Sequence, residues 1–147
     1  MTAADVLARL AAAAGVRVEV RSGAGWTGAG AGTVGAERDG DGLVLSEAGT
    51  WAPAGGRPMR WTTRSRWRAD GAALAVEHWR QGAPASAVLD RAPGAAGRQW
   101  HARAAHLCAP DAYRVALAVT PAEVVVTWTV TGPRKDDRVV TRYLAAE

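Results

Sequence analysis

The sequence has no phenylalanine, one cysteine and one lysine, and it has no long apolar run. A single cysteine, Cys108, excludes an internal disulfide. No segment approaches the roughly 20 apolar residues that a membrane-spanning helix needs. Residues 1–15 lack the charged-then-apolar order of a signal peptide. We therefore expect a cytoplasmic protein with no membrane partner.

The length of 147 residues is enough for one domain with a core and one enclosed site. The hydrophobic share of 48% and the charged share of 22% are typical of a globular chain rather than a disordered one. Basic residues are almost all arginine, and alanine is abundant. This bias indicates a GC-rich genome more than a selected function. We interpret residues 1–147 as a single domain.

Only the first stretch of the chain predicts a helix. Thr2 is a good N-cap for a helix over 3–14, and Gly15 is a natural stop. Val6 and Leu10 lie on one apolar side of this helix. The sequence thus predicts a short N-terminal helix within residues 1–15.

From residue 16 onward the hydrophobic period changes to two, which is typical of antiparallel strands. The Gly-rich stretch 23–36 could be a linker, but Trp26 and Val34 favour a strand that is bent or approached closely by another group. About nine or ten strands with one helix predict an all-β fold, a single closed antiparallel barrel of the calycin (lipocalin-like) kind, because closure removes exposed edges. After the first strand, the predicted strands are 43–48, 59–69, 72–80, 85–89, 98–108, 113–120, 123–131 and 135–144, joined by turns such as Asp39–Gly42 and Gln81-Gly82.

The inward faces of these strands predict an enclosed cavity. They combine large indoles with small and hydroxyl-bearing side chains, whereas a solid core would favour leucine, isoleucine and phenylalanine. Such a lining suits a hydrophobic or aromatic small molecule. The alternative is that tryptophan simply replaces phenylalanine as a packing residue. The predicted ligand-binding residues are Trp61, Thr63, Ser65, Trp67, Trp100, His106, Tyr113, Trp128, Thr141 and Tyr143.

Two motifs near the C-terminus resemble a known family. Residues 106–113 read His-Leu-Cys-Ala-Pro-Asp-Ala-Tyr, and residues 128–136 read Trp-Thr-Val-Thr-Gly-Pro-Arg-Lys-Asp. They are similar to the signature of an uncharacterised family of small lipocalin-like (calycin) barrel domains. The resemblance implies a barrel with a cavity and brings no established activity. Ala109 stands where that family has glycine, and Asp137 where it has an aromatic residue.

An acid–base site is the main catalytic hypothesis. Asp137 is expected on an inward face at the cavity rim, with Tyr113, Tyr143 or His106 opposite it. Burial in an apolar pocket raises the pKa of a carboxyl group, so Asp137 would be suited to proton transfer near neutral pH. An ion-paired turn with Arg134 and Lys135 is the alternative.

Metal, thiol and nucleic-acid functions have weaker support. His106 and Cys108 would share a strand face and His78 could join them, but this spacing does not predict three or four converging ligands. We expect Cys108 to be a buried, inert thiol. The basic stripe of residues 60, 64, 66 and 68 faces away from the tryptophans, which argues against nucleic acid because bases stack on aromatic rings.

The sequence thus leaves three hypotheses. The first is a barrel that binds a hydrophobic or aromatic small molecule, with no cofactor and with its oligomeric state open between monomer and homodimer. The second is a cofactor-independent cyclase or isomerase that acts on a biosynthetic intermediate in the same cavity. The third is a haem- or metal-binding barrel that uses His106 or His78.

Overall fold

The computed structural model describes residues 1–79 and 84–146. One helix, α1 (Ala3–Ala11), precedes eleven strands in the part of the chain that is described. The strands are β1 (Ala13–Arg21), β2 (Thr27–Asp39), β3 (Gly42–Pro53), β4 (Met59–Asp70), β5 (Ala73–Trp79), β6 (Ala85–Arg91), β7 (Gln99–Ala102), β8 (His106–Cys108), β9 (Asp111–Val119), β10 (Glu123–Gly132) and β11 (Lys135–Ala145).

The strands close into a ring. The order is β10-β11-β1-β2-β3-β4-β5-β6-β7-β9, and a further antiparallel pairing of β9 with β10 joins the two ends. Ten strands therefore form the barrel, while β8 lies outside the ring and pairs only with β9 among the described strands. The predicted closed antiparallel barrel with a short N-terminal helix is confirmed.

Helix α1 begins with a complete capping box. The Thr2 hydroxyl accepts a hydrogen bond from the Asp5 N–H, and the Asp5 carboxylate accepts one from the Thr2 N–H at 2.7 Å. The helix ends at Ala11, three residues before the predicted end. Ala13 instead pairs with Ala145 of β11, so tertiary strand pairing overrides the helix propensity of the alanine run.

The helix closes one end of the barrel. Val6 and Leu10 are fully buried in the core, and the Arg9 guanidinium donates to the carbonyl of Thr120 in the β9–β10 turn at 2.8 Å. Since consecutive strands are antiparallel, their turns alternate between the two ends of the barrel. The turns after β1, β3 and β10 therefore lie at the opposite, open end. Within the described residues no helix is long and apolar enough to cross a membrane.

The Gly-rich stretch is strand β2, and its glycines allow close approach. A Cβ on Gly30 would lie 2.5 Å from the Trp51 Cβ, and one on Gly28 would lie 2.9 Å from the Trp51 ring. On β3, a Cβ on Gly49 would collide with the Trp61 ring. These glycines leave room on the inner wall for the rings of Trp51 and Trp61. Any larger residue in place of the glycines would collide with them.

Two sequence predictions about residues 98–108 are wrong. The predicted single strand is divided into β7 and β8 by a bend at residues 103–105, where the Arg103 N–H still donates to the Val88 carbonyl and its guanidinium binds both oxygens of Asp90 at 2.8 and 2.9 Å. Cys108, expected to be buried, is exposed on β8. The predicted turn at Gln81-Gly82 and the end of the strand at Arg80 lie outside the described residues.

Aspartates partly neutralise the arginine stripe on the outer wall. Arg66 bridges Asp39 and Asp41 at 3.3 and 3.0 Å, and its hydrogen bond to Asp41 raises the pKa of the guanidinium. The Arg64 guanidinium lies 5.8 Å from the centre of the Trp79 ring. The two ion pairs of Arg66 fit a solvated outer face.

The buried side of α1 predicts a large stability effect. Replacing the fully buried Leu10 with alanine should lower the free energy of unfolding by about 2–5 kcal/mol, because it leaves a cavity where the helix meets the barrel. The same change at Leu107, which is 76% exposed, should alter it by no more than about 0.5 kcal/mol. Urea denaturation of both variants measures the difference, and equal effects would show that α1 does not seal the core.

Candidate functional site

A cavity of about 310 Å³ occupies the open half of the barrel. The half nearer α1 is filled by core side chains such as Leu45, Leu74 and Trp100, all with no exposed surface. Other depressions lie on the outer wall. The cavity is lined by Val18, Val20, Glu47, Trp51, Trp61, Thr62, Thr63, Ser65, Trp67, Val76, His78, Trp79, Val126, Trp128, Val139, Thr141 and Tyr143.

Indoles form most of the cavity wall. Five of the seven tryptophans contribute, from β3, β4, β5 and β10. Trp67 and Trp128 are buried, while the others are partly exposed. Trp26, in the turn after β1, stacks on Trp51 with ring centres 6.1 Å apart and extends the aromatic surface to the open end.

A buried carboxyl group lies among these rings. The alternation of β3 turns Leu43, Leu45 and Glu47 to the inside, so the strand that supplies core residues near α1 also supplies an acid to the cavity. Glu47 is only 6% exposed, and its Oε2 accepts a hydrogen bond of 2.7 Å from the Tyr143 hydroxyl on β11. This pair is the polar centre of the cavity.

Burial changes the acidity of both members of the pair. Loss of water raises the pKa of Glu47 above its ordinary value, and the hydrogen bond from Tyr143 offsets part of that rise. The nearby Thr63 hydroxyl also lowers this pKa, although it does not reach hydrogen-bonding geometry. Burial and the adjacent Glu47 charge hold the pKa of Tyr143 well above its usual range. Tyr143 therefore remains a proton donor to the carboxyl group.

Two further hydroxyls, those of Ser65 and Thr63, belong to the polar part of the lining. The Ser65 Oγ accepts a hydrogen bond of 3.1 Å from the Trp67 indole N–H, which fixes that ring. The Thr63 Oγ1 is buried and has no hydrogen-bond partner, unlike every other buried side-chain polar atom in the described residues. Such a group normally indicates a place for a ligand or a water molecule.

Most of the predicted ligand-binding residues lie together in this cavity, but three do not. Trp100 is fully buried in the core, where its indole N–H donates to the Gly97 carbonyl at 2.9 Å. His106 and Tyr113 pack edge to face with ring centres 6.3 Å apart, outside the lining. The predicted residues that line the cavity are Trp61, Thr63, Ser65, Trp67, Trp128, Thr141 and Tyr143.

The predicted catalytic residues are not brought together. Asp137 and Tyr113 are both register partners of Val130, so they stand two strand spacings apart, roughly 9–10 Å. One Asp137 oxygen accepts the Gly23 N–H at 3.1 Å, and the His106 Nδ1 accepts the Ser86 N–H at 3.3 Å. These side chains are near the open end but do not line the cavity.

The histidines do not gather with other metal-ligating side chains. His78 lines the cavity with its ring centre 5.7 Å from that of Trp128, and His106 lies outside the lining. Throughout 1–79 and 84–146 there is no group of three or more His, Cys, Asp or Glu that could hold a metal ion. A metal site with three or more such ligands therefore has no supporting geometry in the described part of the chain.

Sequence reasoning missed Glu47 and Trp51. It assigns no inward face to the predicted strand at 43–48, and it ends that strand before Trp51, which belongs to the same strand. A signal was present, because Leu43 and Leu45 share the parity of Glu47 and mark that face as inward. Glu47 is an acid on the otherwise apolar face of the strand predicted over 43–48, and this pattern could have identified the polar centre of the cavity.

Comparison with known sequences identifies a family. Residues 14–145 match the family of unknown function DUF6314, which covers nearly the whole chain. A search of curated proteins finds no match.

The solved structure of a phycobiliprotein lyase supports the barrel fold. The structure of the S-type phycobiliprotein lyase CPES from Guillardia theta has a TM-score of 0.65 at 8% identity, over all of this chain and 94% of that chain. A de novo designed fluorescence-activating beta barrel has a TM-score of 0.45 at 14% identity, over 93% of this chain and 97% of that chain.

The raised pKa of Glu47 predicts a specific pH dependence of stability. Because the folded protein binds this proton more tightly than the unfolded chain, the Glu47 contribution is fully present below the ordinary value of 4.5 and is lost as pH rises through the folded pKa. Glu47→Gln should remove this loss, so the variant should gain stability relative to wild type as pH rises.

Urea denaturation from about pH 4 to pH 8 measures this difference. Glu77→Gln, at an exposed glutamate on β5, is the matched control and should run parallel to wild type. If the Glu47→Gln curve also ran parallel to wild type, the carboxyl would not have a raised pKa in the folded protein.

Proposed function

We propose that this chain, which belongs to the DUF6314 family, binds a small aromatic or hydrophobic molecule in the tryptophan-lined cavity. The observation that carries the proposal is a cavity of about 310 Å³ inside the barrel, whose apolar wall is interrupted by a buried carboxyl group and an unpartnered hydroxyl. Ligand pockets combine an apolar lining with a few polar groups that orient the ligand.

The cavity volume limits the size of the ligand. Pockets for small molecules span about 300–1,000 Å³, and this cavity lies at the lower end. Its volume corresponds to roughly ten water molecules at about 30 Å³ each. A ligand with one to three fused rings therefore fits, whereas a larger one would extend past Trp51 and Trp26 at the open end.

Occupancy of the cavity can be tested with a neutral aromatic probe. We expect 1-aminoanthracene to bind with increased fluorescence, and Val139→Trp, which fills the cavity from β11, to weaken binding by at least about tenfold. Val140→Trp adds the same ring on the outer face of that strand and should leave binding unchanged. Fluorescence titration, with circular dichroism to verify folding, measures both. Equal binding by the two variants would place the probe elsewhere.

A second candidate function is acid–base catalysis by a cofactor-independent cyclase or isomerase. The observation in its favour is the Glu47–Tyr143 pair, in which a hydroxyl fixes a carboxyl group within an apolar cavity. A raised pKa makes a carboxylate a stronger base, and a fixed geometry lowers the entropic cost of proton transfer. In this candidate Glu47, rather than Asp137, transfers the proton. The barrel fold shared with a phycobiliprotein lyase is compatible with both candidates.

Base reactivity in the cavity can be measured with 5-nitrobenzisoxazole. A base that removes its C3 proton breaks the N–O bond and releases a coloured cyanophenolate. We expect the wild-type protein to accelerate this reaction by roughly 10²-fold relative to Glu47→Gln, the usual scale of general-base catalysis. Asp137→Asn should retain the wild-type rate because Asp137 does not line the cavity. Equal rates for wild type and Glu47→Gln would remove the support for the catalytic candidate.

A further inference from the structure

The charge of the cavity differs from the charge of the molecule. The chain carries a net charge of +4, yet the described lining contains one acid, Glu47, and no arginine or lysine. The other titratable side chains in the lining are His78 on β5 and Tyr143 on β11. Among the described residues, the lining therefore offers a ligand one acidic group and no permanently positive one.

The Glu47 carboxyl group has unused capacity to accept hydrogen bonds. An ionised carboxylate can accept about four, and Tyr143 donates one, to Oε2. No ion pair forms between Glu47 and a basic side chain anywhere in residues 1–79 and 84–146. Burying a carboxylate without a positively charged partner costs free energy. A positively charged ligand would provide that partner for Glu47.

The aromatic wall favours the same sign of charge. The face of an indole ring is electron-rich, which attracts cations and repels anions, and tryptophan is the strongest of the aromatic side chains in this respect. Five indoles surround the cavity, and the buried ring of Trp67 is held in place by its hydrogen bond to Ser65. The indole wall and Glu47 therefore both favour a positively charged ligand.

We propose that the ligand is a small organic cation, a protonated amine on an aromatic body, whose ammonium group pairs with Glu47 while its ring lies among the tryptophans. This inference rests on the proposed binding function and names the chemical class of its ligand. The Thr63 hydroxyl, buried beside the carboxyl and without a partner, accepts a second hydrogen bond from the ammonium group.

The basic outer surface does not oppose this arrangement. Arg66, Arg68 and Arg103 on the outside each form an ion pair with an aspartate. The field of exposed charges is screened over about 8 Å at physiological ionic strength. A cation inside the barrel therefore responds mainly to Glu47 and the indoles.

Three indoles with matched side chains of different charge test the proposal. Tryptamine is a cation at neutral pH, tryptophol is neutral, and indole-3-acetate is an anion. We expect tryptamine to bind at least about tenfold more tightly than tryptophol, with indole-3-acetate weakest, because only the amine pairs with Glu47. Isothermal titration calorimetry at neutral pH measures the three affinities.

Two matched variants assign the preference to Glu47. Glu47→Gln, which keeps an oxygen for the Tyr143 hydroxyl, should bind tryptamine and tryptophol within about twofold of each other. Glu77→Gln removes the same charge from the exposed face of β5 and should retain the full preference. Circular dichroism verifies that both variants fold.

Each remaining outcome overturns the inference in a recognisable way. If the wild-type protein binds tryptophol as tightly as tryptamine or more tightly, the inference of a cationic ligand is refuted and small-molecule binding stands. Such a result would mean that protonated Glu47 donates a hydrogen bond to a neutral ligand. If 1-aminoanthracene, which is neutral at this pH, binds in the cavity and tryptamine does not, the inference of a cationic ligand fails while small-molecule binding stands. If no probe binds, the proposed binding function fails as well.

Discussion

The width of a ten-stranded barrel governs the rest of this structure. Eight strands enclose a space that side chains just fill or that holds one small ligand, and two more strands add further volume inside. Helix α1 uses part of this volume by inserting Val6 and Leu10 at one end. No such element occupies the other end in the described residues, where indoles line about 310 Å³ of open space. The cavity thus follows from strand number and from the position of a single helix, before any side chain is specialised for binding.

The glycines of β2 and β3 decide how that space is lined. At Gly28, Gly30 and Gly49 a methyl group would collide with a neighbouring backbone or indole, so the inner wall there consists of main chain on which Trp51 and Trp61 rest. Large flat rings against bare backbone give a smooth apolar surface, and their few rotatable bonds make it rigid. A rigid wall keeps a cavity open where flexible side chains would collapse into it.

The fold could be predicted from the sequence because the strands alternate strictly and closure follows from their number. Seven of the ten predicted ligand-binding residues line the cavity for the same reason: once a strand such as β4 is recognised, parity places Trp61, Thr63, Ser65 and Trp67 on one face. Parity fails where the chain bends between two strands, as it does at residues 103–105 between β7 and β8, and His106 and Cys108 are misplaced for this reason. It also cannot tell how far along the barrel axis a residue lies, and Trp100 and Asp137 lie above or below the cavity rather than in it.

Binding of a cation and base catalysis require different pKa values of Glu47. A carboxylate that pairs with a bound cation has its pKa lowered by that cation and becomes a weaker base. The same carboxylate beside a neutral ligand keeps the raised pKa that burial gives it and becomes a stronger base. A positively charged ligand therefore favours a carrier, and a neutral one favours a catalyst, although the cavity walls are identical in the two cases. The charge of the ligand, rather than a change in the fold, determines which chemistry the Glu47–Tyr143 pair supports.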